Sequence, residues 1–377
     1  MPTADLATLF YVASEQDSNL YYATRFMAPD PFLYLEVKGE RLLVMSDLEM
    51  DRARSQSSVD RVLSYSDYER QAKAAGVERP GPMDIAHAVL SQAGVRDVQV
   101  AVTFPFGHAV RLQELGYRVA SKPDPFYERR VVKSAEEVAA IEAAQRATEQ
   151  AVAAAHDLLR RATPREGRLW VDGEPVTSEG IKKLINVALM EQECIAQHTI
   201  VAGGEQACDP HHEGEGPLPA DRSIIFDVFP RSARTRYFAD MSRTVLRGQA
   251  SPELRRLYQT VKDAQEEAID QIRDGADGAK IHQRICERFD AAGYRTGLVN
   301  GRMHGYFHGT GHGVGLDIHE APRISRTGSI LQEGHVVTVE PGLYYPGLGA
   351  VRIEDMVLVT KDGCRNLTRY PKQLILD

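Results

Sequence analysis

Three acidic residues interrupt apolar, β-rich runs in the second half of this chain. They are Asp227 in Ile224-Ile225-Phe226-Asp227-Val228-Phe229, Glu340 in Val336-Val337-Thr338-Val339-Glu340, and Glu354 in Val351-Arg352-Ile353-Glu354-Asp355-Met356-Val357-Leu358. A carboxylate inside a buried strand is costly unless it is paired, hydrogen-bonded or bound to a cation. Strand alternation puts Glu354 on the same face as Arg352, so an ion pair between them accounts for that position without a metal. Asp240, in Phe238-Ala239-Asp240-Met241, and the glycine-flanked His312 enlarge the set beyond what the local arginines satisfy. Nine of the twelve histidines also fall between His198 and His335. Four carboxylates and a single imidazole favour a pair of divalent cations (Mn, Co, Zn or Fe) over a thiolate zinc site. There is no H-E-x-x-H, no G-x-S-x-G and no Gly-Lys phosphate loop.

These residues need a scaffold, and the pattern around them predicts one. Short β-rich runs at 10–12, 19–22, 32–37 and 41–45, then a helical stretch around 85–90 and a strand at 98–102, predict a small α/β domain. Lys122-Pro123-Asp124-Pro125, followed by Arg129-Arg130, reads as a linker, which gives domains of 1–127 and 128–377. The capping box Ser134-Ala135-Glu136-Glu137 opens a long helix to about 161. Helices are expected again at 178–192, after Ser251-Pro252-Glu253, and at 279–291, each pair followed by a strand region, 198–246 and 303–360. Two such helix-helix-sheet halves predict one shared sheet, with helices on one face and a site on the other.

With 377 residues and a net charge of −8, the chain lacks the basic footprint of a nucleic-acid binder or a membrane-surface protein. Cys194, Cys208, Cys286 and Cys364 are dispersed and read as reduced thiols. No signal peptide or spanning segment is legible, so a cytoplasmic enzyme is expected.

The order Asp227, Asp240, His312, Glu340, Glu354 resembles the metal set of the pita-bread metallopeptidases. Gly311-His312-Gly313-Val314-Gly315-Leu316-Asp317-Ile318-His319-Glu320-Ala321-Pro322-Arg323, Val339-Glu340-Pro341-Gly342 and Val351-Arg352-Ile353-Glu354-Asp355 look like the prolidase and Xaa-Pro aminopeptidase branch. The resemblance implies an α+β protein: a C-terminal pita-bread (creatinase/aminopeptidase) fold behind a smaller N-terminal α/β domain, which commonly contributes to a homodimer. It implies Asp227 on one metal, His312 and Glu340 on the other, and Asp240 and Glu354 as bridges, with Mn or Co first among the candidates. It further implies Glu340 as general base, and His211 and His319 as substrate contacts that stabilise the oxyanion. His308 falls on the pocket wall, and Arg323 and Arg352 near the carboxylate of a short peptide substrate. Three departures stand out. Asp227 and Asp240 are 13 apart where most relatives have 11, Gly309 replaces an arginine found in some, and Ser242 replaces a common threonine. The arginines Arg231, Arg234 and Arg236 in the longer hairpin read as a solvated turn. The implied function is hydrolysis of the bond preceding proline, in Xaa-Pro dipeptides or at the N-terminus of Xaa-Pro peptides. The alternatives are a non-proline aminopeptidase of the same fold, metal-free creatinase-like hydrolysis, and a non-catalytic binding module.

Overall fold

The computed structural model describes residues 6–377, in two compact units that divide between Glu128 and Arg129. The first is a six-stranded mixed sheet in the order β4-β3-β2-β1-β5-β6. It comprises β1 (Leu6–Val12), β2 (Phe32–Val37), β3 (Glu40–Met45), β4 (Arg61–Ser64), β5 (Asp97–Ala101) and β6 (Arg118–Lys122). Helices α1 (Ser18–Thr24), α2 (Met50–Gln56), α3 (Tyr65–Ala74), α4 (Pro82–Gln92) and α5 (Phe106–Glu114) accompany it. The strand expected at 19–22 is helix α1 instead. Asp17 caps it by accepting from the Leu20 backbone N–H at 2.7 Å, and burial of Leu20 and Tyr21 on one helical face overrides the strand preference of the aromatics.

The second unit begins with α6 (Ala135–Arg161), whose first turn carries the capping box of Ser134 and Glu137. A small ribbon of β7 (Thr163–Arg165), β8 (Arg168–Val171) and β9 (Glu174–Pro175) leads to α7 (Ser178–Met190). Then come β10 (Cys194–Ile195), β11 (Ile200–Gly203), β12 (Ile224–Val228), β13 (Arg231–Ser232) and β14 (Met241–Val245). Helices α8 (Pro252–Asp270) and α9 (Gly278–Ala291) start at side-chain caps from Ser251 and Asp277. The last strands are β15 (Gly297–Val299), β16 (Arg302–His304), β17 (Gly311–Gly313), β18 (Glu320–Ile324), β19 (Val336–Val339), β20 (Gly342–Tyr345), β21 (Gly349–Arg352), β22 (Asp355–Val359) and β23 (Cys364–Asn366).

The single shared sheet expected from the repeat is not what forms. Strands β11-β12-β14 make one ladder, β18-β17-β19-β22-β23 another, and β20-β21 a third. The halves are joined by bonds outside these ladders: Thr244 Oγ1 donates to the Arg352 carbonyl at 2.8 Å and accepts from the Arg352 N–H at 2.9 Å, and the Glu354 N–H donates to the Ser242 carbonyl at 3.0 Å. Behind the ladders, Leu257 and Val261 of α8 and Ile281, Ile285 and Phe289 of α9 pack in one core with Val337, Val339, Val351, Ile353 and Val357. This apolar backing leaves the opposite side of the strands to the polar residues.

Candidate active site

Four of the five expected ligands stand at or just beyond strand ends. Asp227 lies in β12, opposite Ser242 of β14, and Asp240 immediately precedes β14. Glu340 follows β19, and Glu354 sits in the two-residue step between β21 and β22. The fifth, His312, is the middle residue of β17, paired with Arg323 of β18 beside a β-bulge. Its glycine neighbours have a steric reason. A Cβ on Gly311 would fall 1.9 Å from the Thr338 carbonyl oxygen, and one on Gly313 2.2 Å from that of Ala321, so only glycine lets the flanking backbones approach this closely.

All ten residues singled out from the sequence (Asp227, Asp240, His312, Glu340, Glu354, His211, His319, Arg323, Arg352 and His308) line one cleft of about 960 Å³. Ligand atoms of Asp240, His312 and Glu354 lie within 4.8 Å of one another. His312 Nε2 is 3.6 Å from Asp240 Oδ2 and 3.5 Å from Glu340 Oε1. Its Nδ1 donates to the Gly313 carbonyl at 3.2 Å, which leaves the Nε2 lone pair facing the carboxylates. Burial holds this imidazole neutral, its pKa down to about 3, with nearby His319 acting the same way. The carboxylates move oppositely. Burial, then the charge of Glu354, raises Asp240, burial and Glu340 raise Glu354, and burial lifts Glu340 to about 8 against the pull of Arg352. Asp227 Oδ1 and Glu354 Oε1 are buried with no hydrogen-bond partner among the described residues. Orphaned carboxylate oxygens around an imidazole lone pair form a donor set that fits hard or borderline divalent cations.

Arg352 is not the partner of Glu354. Arg352 ends β21 whereas Glu354 lies in the step before β22, so the two are not on one continuous strand, and the guanidinium turns to Asp227, donating through Nη2 to Oδ2 at 2.6 Å. Its Nε donates to Ser242 Oγ at 3.0 Å, and its Nη1 to Tyr344 OH at 3.0 Å and the Pro210 carbonyl at 3.2 Å. Tyr344 in turn donates to His308 Nε2 at 2.9 Å, and His308 Nδ1 donates to the Gly309 carbonyl at 2.8 Å. Both nitrogens of His308 are thus committed, and it presents its ring to the cleft as a wall. His319 is solvent-accessible, its ring edge-to-face with His312 at 4.4 Å. Of the adjacent pair, His211 reaches the cleft, whereas His212 accepts from the Gly214 N–H at 3.0 Å. None of the hairpin arginines lines the cleft, and the turn is not simply solvated: Arg236 is buried and the Arg231 guanidinium sits 5.7 Å from the Phe238 ring centroid.

Sequence reasoning missed Tyr344 as well as Arg243, a residue 1% exposed behind the site. Its five N–H donors reach the carbonyls of Ser242, Glu354, Tyr370 and Pro371 and the Asp355 carboxylate. An arginine in a β-strand reads as exposed, and only the C-terminal segment folding over it reveals otherwise.

Fold and cleft together define a metal-dependent hydrolase of pita-bread architecture. Residues 139–361 match metallopeptidase family M24, and the chain belongs to that family. It is a peptidase. It is 26% identical to the Xaa-Pro dipeptidase of Pyrococcus horikoshii over 365 residues, covering 96% of this chain and 93% of that one. It is 31% identical to the Xaa-Pro dipeptidase of Pyrococcus furiosus over 248 residues, 65% of each chain. Among solved structures, the X-Pro aminopeptidase of Thermotoga maritima superposes with a TM-score of 0.81 at 22% identity, over 98% of this chain and 97% of that one. The Xaa-Pro dipeptidase of Bacillus anthracis gives 0.82 at 22% identity, over 98% and 94%. These likenesses cover nearly the whole length and establish the shared fold, a pita-bread unit preceded by the smaller α/β unit. Among the described residues no helix is long and apolar enough to cross a membrane.

Proposed function

We propose that this peptidase cleaves the bond preceding proline, in Xaa-Pro dipeptides or at the N-terminus of longer Xaa-Pro peptides. Asp227, Asp240, His312, Glu340 and Glu354 would hold two divalent cations, Mn or Co before Zn or Fe, with Asp240 and Glu354 between the two. The observation that carries the reading is a cleft in which Asp240, Glu340 and Glu354 crowd one neutral imidazole, Asp227 shares the lining, and two carboxylate oxygens are left unpartnered. Four negative charges balance two dications, whereas protons alone would leave the buried oxygens unmatched. When bound, such a pair supplies Lewis acidity and a water of lowered pKa.

The remaining work falls to side chains. Glu340, part-exposed to the cleft and 3.5 Å from His312 Nε2, would be ionised once cations occupy the site, and as the carboxylate it takes a proton from the attacking water and passes it toward the leaving amine. His211 and His319, both open to the cleft, donate to the carbonyl oxygen as negative charge develops. Arg323, exposed on the wall across from His312, pairs with the C-terminal carboxylate of a short substrate. Arg352 is committed to Asp227, Ser242 and Tyr344, so its part is to hold a ligand rather than to clamp the peptide. The names of the relatives, Xaa-Pro dipeptidase and X-Pro aminopeptidase, support the choice of proline.

The test is hydrolysis by chelator-treated protein reloaded with Mn or Co, on an Xaa-Pro dipeptide, a longer peptide with proline second, and alanine analogues of both. Turnover confined to the proline peptides supports the reading. Equal or faster turnover of the alanine analogues overturns proline specificity and leaves a general aminopeptidase.

A further inference from the structure

Where the chain enters α6, Arg130, Lys133 and Glu137 follow one another at intervals of three and four residues, all charged and all nearly buried at 6%, 7% and 6% exposure. Burying charges so close to a helix start is expensive, and apolar side chains would serve packing as well. Each has a specific mate on an active-site loop. Arg130 Nη2 donates to Asp317 Oδ2 at 2.6 Å and to Glu320 Oε2 at 2.9 Å. The Lys133 ammonium donates to the carbonyls of Arg130 at 2.7 Å and Val131 at 3.2 Å, and to Glu320 Oε1, which engages all three of its hydrogens. Both oxygens of Glu320 are therefore gripped by cations. The loop before it wraps closely around that carboxylate, since a Cβ on Gly315 would fall 2.5 Å from Glu320 Oε1. Glu137 accepts from Tyr237 OH and, through its other oxygen, from the Ser134 N–H at 2.8 Å. Tyr237 lies on the hairpin between Asp227 and Asp240, and the neighbouring Phe238 N–H donates to the Gly315 carbonyl at 2.8 Å.

Glu320 opens β18, and His319 is the residue before it. His319 ends the bend that leads into β18 and lines the cleft beside His312, so a carboxylate anchored toward 130–133 fixes the backbone at the very next residue and with it the direction from which the imidazole enters the cleft. We infer that Arg130 and Lys133, through Glu320, are positioning residues for His319, and that Glu137, through Tyr237, holds the Asp227–Asp240 hairpin in the same manner. The ion cluster selects one loop orientation where apolar packing would permit several.

The inference rests on the reading that His319 acts on the peptide, and a double-mutant cycle isolates it, run on whichever peptide of the panel the wild-type enzyme cleaves, with or without proline. Glu320→Gln keeps the shape and removes the charge; in the wild-type background it is expected to lower kcat about 30-fold with metal content unchanged, and in a His319→Ala background by less than about twofold. Equal losses in both backgrounds would mean a general structural effect and overturn the proposal, as would an unchanged kcat for Glu320→Gln. Full activity of His319→Ala also overturns it, and does so without touching proline specificity, which the peptide panel reads separately. Should Glu320→Gln fail to fold, Asp317→Asn goes through the same cycle, its side chain being 48% exposed, with a loss of about threefold expected only when His319 is present. For the hairpin arm, Tyr237→Phe removes only the hydroxyl that Glu137 accepts and is expected to weaken Mn binding about tenfold; an unchanged Mn dissociation constant overturns that arm.

Discussion

Ser242 Oγ donates to Glu354 Oε2 at 2.9 Å across 112 residues of sequence, and the same oxygen accepts from Arg352 Nε at 3.0 Å. One hydroxyl thus orients a proposed bridging carboxylate and the arginine that holds Asp227. Each half of the pita-bread unit contributes one side of this contact.

Ser242→Ala leaves Glu354 Oε2 and Arg352 Nε buried without that partner, at a cost of about 1–3 kcal/mol. Denaturant unfolding of chelator-treated protein should show this loss, and titration calorimetry should show Mn affinity reduced about 10–100-fold. Wild-type affinity in the variant would remove Ser242 from the support of the site.

Arg243→Lys replaces a planar fork of five donors with three hydrogens on one nitrogen. At least two of the five acceptors around it lose their partner, for an expected loss of about 2–4 kcal/mol. Because two of those acceptors are carbonyls of Tyr370 and Pro371, hydrogen exchange in the C-terminal segment should accelerate in the same variant. Unchanged exchange there would show that the segment is held by other contacts.

Without bound cations, stability should depend on pH with a definite sign. Glu340 is raised to about 8, and Asp240 and Glu354 are raised as well, so the folded state holds more protons than the unfolded chain, and stability falls as pH rises toward 8. His312, His308 and His156 are lowered to about 3 by burial; they stay neutral when folded, and stability falls below about 6.5, where the unfolded imidazoles protonate. The melting temperature of chelator-treated protein should therefore peak near pH 6–6.5 and decline toward 8, and added Mn should stabilise most at the alkaline end. A curve that climbs from pH 6.5 to 8 would contradict the crowding of carboxylates.

Arg323→Ala should raise KM for an Xaa-Pro dipeptide about tenfold or more, as expected for loss of a charge-assisted contact, and affect longer peptides less, because their C-terminal carboxylate lies farther along the cleft. Equal effects on both lengths would take Arg323 out of carboxylate recognition.

Much of the site was legible because chemistry leaves anomalies in an amphipathic pattern. Asp227 and Glu340 interrupt apolar runs that otherwise read as core, and Gly311 and Gly313 mark the place where β17 must approach its neighbours. Two helices of the second unit were legible from Ser134 and Ser251, since capping is a local event. Helix α1 was not, because its aromatics favour a strand until the fold buries them. Arg352 and Glu354 were misread because period-two alternation assumes an unbroken strand, and the strand ends between them. Arg130 and Lys133 gave no signal, since charges near a linker read as solvated until long-range partners bury them, and Glu320 was legible as part of the motif around His312 but not as their partner.

The residues able to bind a cation, their chain order and the glycines that make room for them were determined by the sequence alone, because buried charge and close backbone approach each demand particular residue types. Which carboxylate meets which arginine, which histidine keeps a free nitrogen and which loop is clamped were decided only by tertiary structure. The reason is physical: a hydrogen bond spanning 112 or 187 residues depends on where separate ladders come to rest, and no local propensity records that.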